Sequence, residues 1–97
     1  PRLRVTTRGP AHHVQMTATA DGALLLAWDE ISAAGRKLRV ARGRPNATGK
    51  VSFQQLPPFD GGNGSYPAVV ATASGAVVAW TRSDPGGTVI AVARVAR

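Results

Sequence analysis

Few side chains in this chain could do chemistry, and Asp29 and Glu30 are the closest it comes to the paired carboxylates that general acid/base work needs. Adjacent residues at a strand's end point to opposite sides, so the pair has poor geometry for acting on one bond. Solvated loop charges are the favoured reading. His12 and His13 could ligate a metal, but no third ligand follows at a fixed spacing, and polar loop residues are expected instead. Asp60-Gly-Gly-Asn63-Gly offers oxygen ligands beside glycines, yet it lacks the alternating acids and closing Glu of a calcium loop; a plain turn is expected. Tyr66, beside a loop, is the better candidate for contact with a sugar. Trp28 and Trp80 each close an apolar strand, where packing is favoured over a stacking platform. Asn46-Ala-Thr48 is a glycosylation acceptor pattern of low specificity. No cofactor, metal or catalytic residue is expected.

The elements that must position these residues show in a repeat. Tyr66-Pro-Ala-Val-Val-Ala-Thr-Ala-Ser-Gly-Ala-Val-Val-Ala-Trp80 lies over residues 13–28, with His13 on Tyr66 and Trp28 on Trp80. The offset is 53 up to Asp21-Gly22 over Ser74-Gly75 and 52 afterwards, continuing through residues 38–42 over 90–94. One extra residue inside a strand would flip every later side chain to the other face, so the extra residue belongs in the turn. Each copy reads as strand A (14–19 and 68–72), a tight Gly turn, strand B (24–28 and 77–80), a loop, and strand C (38–42 and 89–94). A strand D fits 51–56, before the breaker Pro57-Pro58. Four short antiparallel strands in a unit of this size form the blade pattern of a propeller. The fold expected is all-β: two four-stranded antiparallel blades.

Carrying the 53 offset backwards lays Leu3 on Leu56, so residues 1–44 correspond to 54–97, with 45–53 as connection. The chain then starts with a D strand, at about 3–7, and stops after a C strand. An open three-stranded edge is a pairing liability that proteins cover. Other copies of the chain, or the rest of a longer propeller, are the expected partners. Two blades cannot close a ring, and three or four copies, giving six or eight blades, is the expected assembly.

Bulk properties agree with a small β domain. The chain has 97 residues, 11 Gly, 7 Pro and no Cys, so neither a disulfide framework nor a Cys-based zinc site is available to stabilise a small core. The longest apolar stretch, residues 23–28, is far too short to span a bilayer, and the N-terminus shows no charged start and apolar core of a signal peptide; no membrane partner is expected. A net charge of +7 invites nucleic acid, but the arginines are scattered singly and lack interleaved aromatics. Nucleic-acid binding is disfavoured.

The Tyr66-to-Trp80 segment followed by Val89-Ile-Ala-Val-Ala-Arg94, with its parallel in the first copy, resembles the blade repeat of sialidase-type (BNR, or Asp-box) propellers. Where that family carries a Ser-x-Asp-x-Gly-x-Thr-Trp box, this chain has Asn46, Gly49, Ser52 and Phe53 at a different spacing, a degenerate version. The resemblance implies that D–A and B–C connections share one face, which would gather His13, Asp29, Glu30, Tyr66, Arg82 and Asp84. Two blades cannot supply a sialidase's full catalytic set. The expectation is a non-catalytic module that assembles by strand complementation and binds a ligand, carbohydrate first, on that loop face. The alternatives are a fragment of a sialidase-like hydrolase and a scaffold without small ligand.

Overall fold

The alternation of apolar and polar residues on either side of short Gly turns folds the described residues into seven antiparallel strands. The computed structural model describes residues 4–59 and 62–97. β1 (Ala11–Ala18), β2 (Leu24–Ser32), β3 (Gly35–Pro45) and β4 (Val51–Gln55) form one sheet in chain order; β5 (Ser65–Thr72), β6 (Gly75–Asp84) and β7 (Gly87–Ala96) form a second. No α-helix occurs among the described residues.

The two sheets are built alike. Ala18 pairs with Leu24 and Ala71 with Ala76, while Leu24 pairs with Gly43 and Ala76 with Val95. The one-residue difference in offset is taken up between the first two strands of each sheet. In the first sheet the connection closes with Thr19 N donating to the Ala23 carbonyl at 2.8 Å. In the second it tightens to Thr72 opposite Gly75, where any Cβ would collide with the Val95 carbonyl. The same turn in both sheets would have put Leu24 and Leu25 on the wrong faces.

Strands continue further than their apolar cores suggest. β2 turns into β3 through Ser32 opposite Gly35, and β6 into β7 through Asp84 opposite Gly87. The segments expected as B–C loops, 29–37 and 81–88, are therefore mostly hairpin strand. Asp29 and Glu30 are not solvated loop charges, because ladder pairing carries β2 past them and both are buried. The expected first strand at 3–7 is also corrected: residues 4–7 hold no strand, and Leu3 lies outside the described residues. The reason is register. The offset that sets Leu3 on Leu56 makes residues 4–7 the equivalents of 57–60, which fall past the end of β4 at Gln55. Residues 4–7 run beside β4 instead, where Gln55 Nε2 donates to the Thr6 carbonyl at 3.1 Å.

The core lies between the sheets. Leu25, Ala27, Leu38 and Val40 from the first meet Ala76, Val78, Trp80 and Val95 from the second. Burying each of the Leu and Val side chains among them contributes on the order of 1.5–3 kcal/mol. At one end Phe59 stacks on Trp80, with ring centroids 5.3 Å apart and planes at 16°. Trp80 has room because Gly64 sits against its indole, leaving no space for a Cβ.

Candidate functional site

Both sheets carry the same irregularity at the start of their first strand. The register slips between His12 and Gln15 in β1 and between Ser65 and Ala68 in β5, a β-bulge at equivalent places. Inside each bulge one residue adopts left-handed backbone, His13 at φ 57° and Tyr66 at φ 52°. They are the only non-glycine residues with positive φ among those described. For side chains with a Cβ this conformation costs about 1–2 kcal/mol each. The strain turns two rings out of the pleat so that they stack, centroids 4.1 Å apart and planes at 30°.

Asp29 ties the two bulges together. Its side chain is fully buried, and its Oδ2 accepts from His13 Nδ1 at 2.8 Å and from the Tyr66 backbone N–H at 2.8 Å. Its Oδ1 accepts from Arg36 at 2.6 Å. Burial pushes this carboxyl up, but the Tyr66 amide, the His13 ring and the Arg36 guanidinium together outweigh it and hold Asp29 below the usual carboxylate range. A single carboxylate thus fixes the backbone of one bulge and the ring of the other. His13 is anchored through Nδ1, which together with the Tyr66 stack fixes the orientation of its ring.

Glu30 serves the opposite side of β2. It accepts from Trp28 Nε1 at 2.9 Å, from the Arg8 backbone N–H at 3.4 Å and from Arg39 Nε at 3.3 Å. The two acids therefore cannot act on one substrate bond, as expected for neighbours on a strand. Arg82 and Asp84, two residues apart on β6, form a separate pair at 3.7 Å. Of the residues singled out from sequence, His13, Asp29 and Tyr66 come together. Arg36 joins them, and Arg39 and Trp28 join Glu30. The signal for the last two was present: Trp28 stands opposite Arg39 in the hairpin, with Glu30 two residues along on the same side. Reading the B–C connection as a two-residue turn would have exposed it.

Two shallow grooves adjoin this cluster, one through His13 and one through Arg36. One, of about 250 Å³, is mainly apolar and lined by His12, His13, Val14, Leu26 and Trp28, with Val5 and Thr7 at its rim. The other, of about 260 Å³, is lined by Arg36, Asn63, Gly64, Ser65 and Thr81. Lys37 Nζ donates to Asn63 Oδ1 at 2.6 Å beside it. The glycine-rich loop reading turned on Asp60, which with Gly61 lies outside the described residues. Among the described residues no group of three or more His, Cys, Asp or Glu could hold a metal ion. The arrangement offers an exposed aromatic face, a partly exposed imidazole and a partly exposed guanidinium around one buried carboxylate. Compared with protein families, curated proteins and solved structures, the chain matches none.

Proposed function

We propose that this chain is a non-catalytic, sialidase-like β-propeller module of two blades that assembles with other copies of itself and binds a carbohydrate at the end bearing His13, Tyr66 and Arg36. The observation that carries the ligand reading is the strained, stacked pair. Two left-handed residues are held against their preference by a buried carboxylate, and backbone strain of this kind collects at binding sites. Tyr66 is 61 % exposed, so its ring is presented rather than packed away. An exposed aromatic face pre-set by buried hydrogen bonds suits a sugar's apolar face, and Arg36 supplies donors for its hydroxyl or carboxylate oxygens. Among the described residues β7 ends the second sheet, and its outer edge suits a further antiparallel strand in the position β4 occupies in the first sheet.

The hydrolase reading has less support. Asp29 and Glu30 face apart, and both are already saturated by cationic and N–H donors. A fluorogenic sialoside is expected to stay uncleaved.

A glycan array followed by calorimetric titration of the best hit tests the ligand reading. Tyr66→Asn removes the ring while keeping a residue that tolerates left-handed backbone, and it is expected to weaken binding by at least about tenfold, or 1.4 kcal/mol. Binding that survives this change unaltered, or no glycan bound by the unmodified chain, contradicts the proposal.

A further inference from the structure

Four exposed apolar residues of this molecule, Val14, Met16, Ile90 and Val92, occupy positions that the other copy of the repeat buries or half-buries. On the second sheet, Ile90 is 77 % and Val92 63 % exposed. Their equivalents in the first sheet, Leu38 and Val40, are 2 % and 4 % exposed, because they form the core against the second sheet. Val77, half-buried, likewise corresponds to Leu25 in that core. On the first sheet, Val14 and Met16 are each 62 % exposed, whereas their equivalents Pro67 and Val69 are buried and half-buried, Val69 packing on the core. Leu26 corresponds in the same way to the fully buried Val78.

The internal interface is therefore heterologous: one face of the repeat unit packs on the opposite face of the next. Each outer face of the molecule is the repeat of one of those two faces. We infer that the outer face of the second sheet, carrying Val77, Ile90 and Val92, docks head-to-tail on the outer face of the first sheet of a second copy, carrying Val14, Met16 and Leu26. The contact reuses the packing already present inside the chain. It rests on the proposed assembly of this unit with its own copies, and supplies that assembly's faces and polarity.

Two details of the internal interface have counterparts at the outer faces. Phe59, from the segment before β5, covers Trp80, and residues 5–8, before β1, lie by Trp28 in the same way, with Arg8 N–H on Glu30. Across the internal interface the Arg42 guanidinium donates to the carbonyl of Ala96. Arg94 is the repeat of Arg42 and Arg44 that of Ala96, so Arg94 of one copy would donate to the Arg44 carbonyl of the next. A heterologous contact passes from copy to copy until a ring closes, and runs on as an open filament where the rotation does not close.

Single-face variants test this. Ile90→Lys with Val92→Glu blocks the second sheet's face, and Val14→Glu with Met16→Lys blocks the first's; all four positions are exposed, so folding should survive, and circular dichroism checks it. Ile90→Thr is a milder second-face variant that keeps β propensity. The unmodified chain should run as an oligomer by light scattering, each blocked variant alone as a monomer, and an equimolar mixture of the two blocked variants as a 1:1 dimer, each partner supplying its intact face. Ile90→Thr should shift the oligomer's midpoint to higher concentration. An unmodified chain that stays monomeric overturns both the face pairing and the assembly. A blocked variant that still oligomerises alone overturns the face pairing and leaves the assembly standing. Tyr66→Asn should leave the mass unchanged, which separates this contact from ligand binding.

Discussion

Asp29 holds three partners from three strands, and its removal should be felt more than that of any other polar group described here. Asp29→Ala leaves the Tyr66 N–H and the His13 and Arg36 donors without their acceptor. Breaking a buried, charge-assisted set of this kind costs about 3–5 kcal/mol, reduced here because His13 and Arg36 can turn to water. Urea unfolding is expected to show a loss of about 2–4 kcal/mol. The same group sets a pH dependence. Asp29 lies below its ordinary value for the reasons given above, and Asp21, bonded first by Thr19 and then by Arg44, is lowered to about 2. A depressed folded pKa stabilises fully above the unfolded value of about 3.9, and that stability is lost as pH falls through the folded value. The melting temperature should be flat from neutral to about pH 5 and fall below about pH 4. Asp29→Asn should begin lower and fall less over the acid range.

At the scale of strands, the two tryptophans separate packing from hydrogen bonding. Both are buried, but Trp28 Nε1 donates to Glu30 whereas Trp80 Nε1 finds no acceptor among the described residues. Trp28→Phe should therefore cost about 1–2 kcal/mol more than Trp80→Phe, measured by denaturant melts. Gly64→Ala should destabilise by about 1–3 kcal/mol by driving a methyl into the Trp80 ring. These elements differ in how far they could be read in advance. The alternation in residues 24–28 and 38–42 and the glycine turns carry the strands and the extra turn residue, since they follow from local periodicity. The continuation of β2 through Asp29 and Glu30 did not show, because a polar pair after an apolar run looks like a strand end. What keeps the ladder going is distant: His13 and Tyr66 satisfy one carboxylate, Arg39 and the Arg8 amide the other. The left-handed bulges were invisible for a similar reason, as neither His nor Tyr announces positive φ the way glycine does. The pairing of His13 with Tyr66 in the repeat was the one visible trace of their contact.

Across the whole molecule, the repeat makes one braced pair of rings and two exposed apolar faces. Thr81 stands where the repeat would put a second Asp29, so the carboxylate that braces the stacked rings belongs to the junction within a chain and not to a junction between copies. A ring of copies would then carry one complete site per chain, and weak single sites could combine through multivalency. Each copy brings a net charge of +7, so apolar packing works against repulsion. Raising salt from about 0.05 to 0.5 M should therefore strengthen association, read as a lower midpoint concentration; a weaker assembly at high salt would point to ion pairs rather than apolar faces. The most direct test of the account is the mass of the unmodified chain by sedimentation velocity over a wide concentration range. Head-to-tail packing of the two outer faces, closed into a ring of six or eight blades, predicts one discrete species three or four times the chain mass, and a chain that remains a monomer at every concentration would contradict it.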